Sequence, residues 1–387
     1  MSTISTEAWV LHARKDPKEP QTAQLQLEQF EFEDINENEC LVEPIYGAWE
    51  GNMTHAMQRR PMDICAQRGE ERVVVGNSGV VRVLRSGSNV THLYPGDLCL
   101  LFPAGRLDQY GYVEKVLGYD APGTMGVLAK RAKMHQRALV PLPKSSRYSV
   151  EQWAGLCSRY FTAWNNWNLA FKCYRLQVSE EMDPHPFVWG WGGGTTLAEL
   201  QIAKFQGCQV AMISSSPQRH EYLNSLGIVA IDRRQFPDLD YDEEEFMSNT
   251  DFRKQYLQSE EQFLKIVDEK TNGKKVSIFI DYIGAPVVRA TLLALSRQGV
   301  ITSAGWKSGV KVFANRAVEC IERHIHVNTH FAHIADGIPA VEFAEANNVL
   351  PKIDGTVTSW ENIPILAKEF ASGENKSYFP IFQVNSL

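Results

Sequence analysis

The chain has 387 residues, 44% of them hydrophobic and 22% charged, and its 39 Lys and Arg against 46 Asp and Glu leave a net charge of −7. This is a globular composition, long enough for two domain-sized cores, and its acidic balance argues against a duplex nucleic-acid binder, which presents a basic face. No apolar run approaches the ~18 residues of a membrane span, and the opening MSTISTEAWVLHARKDPKEP lacks the pattern of a secretory signal. A cytoplasmic protein with no membrane or nucleic-acid partner is expected.

Residues 1–150 read as short extended segments between turn residues: CLVEPIYG (40–47), RVVVGNSGVVRVL (72–84) and DLCLLFP (97–103). The texture changes near residue 150. In SVEQWAGLCSRYFTAWNNWNLAF (149–171), Ser149 is placed to cap, and large residues from Trp153 to Phe171 recur at helical spacing. Strand and helix then alternate: PFVWGWGGG, TTLAELQIAKFQG, CQVAMISSS, SPQRHEYLNSLG, IVAIDRR, VSIFIDYIG, a helix through LLALSRQG, and GVITSAGW. Repeated βα units of this length predict a doubly wound parallel sheet with helices on both faces, an α/β fold. The acidic run from Asp238 to Glu245 reads as a solvated stretch, followed by a helix in SEEQFLKIVDEKTNG. The seven cysteines are scattered with no CxxC pair, so neither a disulfide scaffold nor a zinc ribbon is expected.

The most informative stretch is FVWGWGGGTTLAELQIAK (187–204), where a hydrophobic strand runs through Gly190, Gly193 and Gly194 into a helix starting near Thr195. Glycines let a pyrophosphate lie against the backbone, and the free amides of a helix start supply donors. The second strand selects the cofactor. It ends in Ser214, Ser215 and Ser216 with Arg219 close by, where an NAD site carries a carboxylate for the ribose 2′-hydroxyl. Hydroxyls and a guanidinium suit a 2′-phosphate, and Arg233 after the third strand offers a second charge. The expected cofactor is NADPH.

These segments, with SGVVRVLRSGSNVTHLYPGD, SLG, LSRQGVITSAG and ENIPILAKEFASGEN, follow one another as in the medium-chain dehydrogenase/reductase superfamily, which the chain resembles over nearly its whole length. The resemblance implies a Rossmann NADPH-binding domain at 151–330, inserted into a strand-rich GroES-like catalytic domain made of 1–150 plus 331–387. It also implies a homodimer, and adds Thr162, Thr196 and Gly305 to the cofactor contacts. Thr196 departs from the family, which usually has a glycine there. Through VWGWGGG, AMISSSPQ, AIDRRQF and VNTHFA the chain is most similar to the crotonyl-CoA carboxylase/reductase branch and its enoyl-thioester reductase relatives.

Alcohol dehydrogenases of the superfamily hold a catalytic zinc. At the corresponding positions this sequence has Glu50 and Asn77, the third position falls near Ser158, and the four-cysteine loop for a second zinc is absent. Asn and Ser are poor zinc ligands, so no metal is expected. His324, His326 and His330 would share a face on a strand, but three histidines on one strand seldom converge on one ion. Carboxylating members of the branch hold CO₂ with a loop aromatic–Glu pair, an Asn and a His. The resemblance maps these onto Tyr119 with Asp120, Asn52 and His330. The expected activity is NADPH-dependent reduction of an activated C=C bond, in an enoyl thioester (possibly on an acyl carrier protein) or an enone, with Asn52, Asp120 and His330 at the catalytic site. The alternatives are a quinone or aldehyde reductase, a zinc-free alcohol dehydrogenase, a reductive carboxylase of an enoyl-CoA, and a non-catalytic NADPH-binding protein.

Overall fold

The computed structural model describes residues 2–16, 22–304, 316–329 and 332–387. His330 and Gly305 lie outside them. The chain divides into one unit of residues 1–161 with 332–387 and a second of 162–331. The division falls inside helix α3 (Val150–Arg175) rather than at its start.

The first unit is strand-rich. β1 (Thr3–His12) pairs with β2 (Gln26–Glu33) and with the short β4 (Arg72–Val73). A second sheet holds β3 (Glu39–Ala48), β5 (Gly79–Ser86), β6 (Leu98–Leu101), β9 (Ala132–His135), β10 (Leu139–Pro141) and β17 (Ile381–Gln383). Its path is β10-β6-β5-β3-β17, with β9 added on β3. β7 (Ala104–Leu107) and β8 (Val113–Val116) make a hairpin. The run RVVVGNSGVVRVL is broken between β4 and β5, where Gly76 takes φ 115°. Helices α1 (Gly51–Gln58) and α2 (Ile64–Arg68) carry too short an apolar pattern to be read from sequence. The unit is completed by α9 (Gly337–Asn347) and α10 (Ile363–Ser372).

The second unit is a six-stranded parallel sheet of β11 (Phe187–Trp191), β12 (Gln209–Ser214), β13 (Val229–Asp232), β14 (Val276–Asp281), β15 (Leu295–Ser303) and β16 (His326–Thr329). Its order, β13-β12-β11-β14-β15-β16, reverses between β11 and β14, as in a dinucleotide-binding doubly wound sheet. β11 and β14 are buried along their whole length, which fits strands covered on both faces. Between the strands run α4 (Gly194–Phe205), α5 (Pro217–Ser225), α6 (Glu243–Ser248), α7 (Thr250–Thr271) and α8 (Ala285–Ala294).

Two elements differ from the sequence reading. LSRQG belongs to β15, not to a helix, because the chain turns extended at Leu295 and Gln298 sits at φ 60°. α7 begins at Thr250, well before SEEQF, because Asn249 caps it through Asp251 N and Phe252 N. The acidic run keeps its carboxylates exposed, while Phe236 and Leu239 anchor it in the core.

Candidate functional site

In the parallel-sheet unit, β11 ends at Trp191 and Gly192 continues at φ 138°, a conformation that favours glycine. Gly193 caps α4, and a side chain there would meet nothing within 4 Å, so the turn is open on that side. Thr196 is fully buried and donates to Trp191 O at 2.9 Å. A Cβ at Gly190 would lie 2.4 Å from Thr196 Cγ2, and one at Gly192 would lie 2.3 Å from Thr196 Oγ1. The glycine missing at 196 is therefore compensated. Its larger side chain occupies space that Gly190 and Gly192 leave vacant, and Thr195 follows in the first turn of α4 with the helix start intact.

At the end of β12, Ser214 Oγ accepts from Ser216 N at 3.3 Å and Ser216 Oγ caps α5 through Arg219 N at 3.4 Å. His220 Nε2 meets Ser214 O at 2.6 Å. Ser215 is exposed and Arg219 half-buried on the first turn of α5. Arg233, the second charge expected beside the cofactor, is engaged within the chain. Its guanidinium donates to Phe236 O and pairs with Asp240 at 3.1 Å, so it ties down the acidic run. Thr162 is buried on α3. Asp281, at the end of β14, accepts from Ile283 N at 2.9 Å and Gly284 N at 3.0 Å, and burial pushes its carboxyl up to about 6.

In the strand-rich unit, the positions aligned with zinc ligands do converge, but as a hydrogen-bonded cluster. Asn52, on α1, donates to Asn77 Oδ1 at 2.9 Å, and Asn77 Nδ2 donates to Ser158 Oγ at 3.5 Å. Ser158 N donates to Ser78 Oγ at 3.3 Å, and Ser78 also hydrogen-bonds Glu50. Glu50 Oε1 meets Arg159 Nη1 at 3.0 Å, in ion-pair rather than aligned hydrogen-bond geometry. Burial pushes the Glu50 carboxyl up and Arg159 opposes that shift. Arg159 also donates to Gly155 O at 2.8 Å and Trp49 O at 2.7 Å. The donor set is one amide, one hydroxyl and one carboxylate already matched by a guanidinium, so these residues do not fit a zinc ion. The neighbouring Cys157 thiol contacts Leu101 O at 3.1 Å, and burial raises it to about 12, far from a thiolate ligand.

The loop carrying Tyr119 and Asp120 is clamped from below by Arg68, whose side chain is 1% exposed. Arg68 donates to Tyr119 O at 3.0 Å and Thr124 O at 2.8 Å and pairs with Glu70, which accepts from Gly123 N at 2.7 Å. No sequence pattern marked Arg68. Asp120 is engaged within its own turn, accepting from Val116 N at 2.7 Å and Lys115 Nζ at 3.3 Å. Tyr119 Oη and Asn52 Oδ1 are buried without a hydrogen-bond partner among the described residues, and burial raises the Tyr119 phenol to about 12. His324, at φ 53°, precedes β16, and His326 Nε2 meets Gln177 Oε1 at 2.9 Å. His333 contacts Tyr110 O at 2.8 Å.

No family model matches the chain. Over 298 residues, 73% of its length, it is 24% identical to a crotonyl-CoA reductase of Streptomyces collinus, of which the match spans 62%. The match thus spans less than two thirds of that relative. The crotonyl-CoA carboxylase/reductase AntE, solved in complex with NADP, superposes with a TM-score of 0.79 at 19% identity, covering 99% of this chain and 95% of that one. The 2-octenoyl-CoA carboxylase reductase CinF, solved with NADP and 2-octenoyl-CoA, superposes with a TM-score of 0.79 at 17% identity, covering 98% and 87%. The reversing parallel sheet, the glycine turn and these likenesses together give the chain the fold of the medium-chain dehydrogenase/reductase superfamily, with sequence similarity to its crotonyl-CoA reductase branch.

Proposed function

We propose that the chain is an NADPH-dependent reductase of the activated C=C bond of an enoyl thioester, carried on CoA or a carrier protein, and that it works without a metal. The observation that supports this most is the cluster of Asn52, Asn77, Ser158 and the Glu50–Arg159 pair at the zinc-ligand positions. Without a Lewis acid an isolated carbonyl is a poor hydride acceptor, whereas an alkene conjugated to a thioester needs only hydrogen-bond donors on the carbonyl oxygen. Bound NADPH supplies the hydride for the β-carbon. The turn through Gly192 and Gly193 and the free amides opening α4 would hold the pyrophosphate, and Ser215 and Arg219 would supply a hydroxyl and a charge for the 2′-phosphate. Tyr119, its phenol protonated throughout the neutral range, donates to the thioester oxygen or to a water that returns a proton to the α-carbon. One hydride and one proton give the saturated thioester.

NADPH is expected to bind at least about 10-fold tighter than NADH, about 1.4 kcal/mol, the scale of one charge-assisted contact, and Arg219→Ala to erode that ratio. Equal affinities for the two nucleotides by fluorescence titration would sink the assignment.

The relatives' names raise the second reading, reductive carboxylation. Asp120 is one methylene shorter than the glutamate of carboxylating members, and its two oxygens already accept from Val116 N and Lys115. A displacement of ~1 Å in such a group costs ~10²-fold, which favours protonation over capture of CO₂. Mass spectrometry of the product formed from crotonyl-CoA, NADPH and saturating bicarbonate decides. The saturated acyl-CoA alone is expected, and quantitative carboxylated product would replace this reading with the second.

A further inference from the structure

Glu199 sits in α4, helix of the glycine turn, and is fully buried. Tyr282 Oη donates to its Oε2 at 2.8 Å, and Asn166 Nδ2, from α3, donates to Tyr282 Oη at 2.6 Å. The Thr302 hydroxyl, near the C-terminal end of β15, also meets the carboxyl. Glu199 Oε1 and Asn166 Oδ1 are buried with no aligned partner. Among the described residues no Lys, Arg or His reaches this carboxyl. Burial accordingly raises it to about 8.

Tyr282 links this group to the turn. Its backbone N–H points to Trp191 O at 3.4 Å, and a side chain added at Gly192 would meet Tyr282 Cβ at 3.4 Å. The tyrosine therefore leans on the turn with its backbone and on Glu199 with its hydroxyl. Glu199 lies five residues beyond Gly194, about 8 Å along the helix axis. The start of α4 carries about half a positive charge from its aligned peptides, the feature that attracts a pyrophosphate.

We propose that Glu199 is a positioning residue of the dinucleotide loop, acting through Tyr282, and that the loop grips a pyrophosphate best while Glu199 is neutral. An ionised Glu199 places a full negative charge, with no cation beside it, behind a helix end that must attract phosphates. The proposal rests on the reading of the glycine turn as a dinucleotide site. The bound state holds the proton more tightly than the free state, so affinity falls as pH rises through the Glu199 titration. The other groups near the carboxyl do not titrate in that window. Asn166 and Thr302 are neutral, the Tyr282 phenol is pushed well above its usual range, and Asp281, next to Tyr282, is already ionised above about 6.

The test is fluorescence titration of the full chain with NADPH from pH 7 to 9.5, repeated with NADH, which has no 2′-phosphate to titrate. The wild-type Kd is expected to rise about 10-fold with either nucleotide, the scale of one charge acting at this range. Glu199→Gln should bind as tightly as wild type at pH 7 and show no rise, and Tyr282→Phe should bind several-fold more weakly at pH 7. Glu199→Gln that follows the wild-type profile, or a flat wild-type profile, overturns the proposal. No binding of either nucleotide at any pH overturns the dinucleotide reading and this proposal with it. Should Glu199→Gln not fold, infrared difference spectra of the wild-type protein serve instead. A protonated-carboxyl band lost between pH 7 and 9.5, with its midpoint moved up by about one pH unit when NADPH is bound, supports the proposal, and its absence at pH 7 refutes it.

Discussion

Arg159→Ala is expected to lower the free energy of unfolding by about 3–5 kcal/mol, the range for removing one partner of a buried ion pair. The Arg159 side chain is 5% exposed and that of Glu50 13%, so removing the guanidinium leaves a carboxylate that water reaches poorly. It also strips donors from Trp49 O and Gly155 O. Urea denaturation should show a lower midpoint with an unchanged slope. Glu50→Leu combined with Arg159→Met should recover most of the loss, because apolar groups of similar volume often replace a buried pair without penalty. A single variant within about 0.5 kcal/mol of wild type, the size of an ordinary surface substitution, would show that the pair is solvated in solution.

The second large effect is expected at Gly192. An alanine there must adopt φ 138° and would bring its Cβ within 2.3 Å of Thr196 Oγ1. Thr196 cannot simply swing away, since its hydroxyl is bonded to Trp191 O inside a fully buried site. The turn must open, and Gly192→Ala should weaken nucleotide binding by about 10- to 100-fold, that is 1.4–2.7 kcal/mol. Thr196→Gly in the same background should relieve the clash but not the φ strain, restoring part of the affinity. Isothermal titration of the wild type and these two variants separates the two contributions. Unchanged affinity in Gly192→Ala would mean that the turn does not approach the nucleotide.

The βα alternation was legible because it depends on local signals. Buried runs such as VSIFID, helix starts such as Ser216-Pro217, and glycines between β11 and α4 each act within a few residues. LSRQG failed for the opposite reason: Leu295 pairs with Val276 of the distant β14 and Gln298 turns to φ 60°, so the stretch joins β15. Arg233 has contacts that no local pattern states. From sequence it was a basic side chain beside a nucleotide strand, and only the fold of the acidic run brought Asp240 and Phe236 O to it.

The sequence by itself determined the class of fold, the place of the glycine turn, the carboxylate-free end of β12 and the poverty of zinc ligands at positions 50, 77 and 158. The first three follow from residue type and spacing along one stretch of chain, and the last from the resemblance to zinc-holding members of the superfamily. The tertiary structure alone decided which charges are spent. Glu50 meets Arg159, Arg68 clamps the Tyr119 loop, and Tyr282 joins Glu199 to Asn166 across 83 and 116 residues. A buried polar group must find a partner wherever the fold supplies one, and nothing in the local spacing of a carboxyl, a phenol and an amide states that they will share a core.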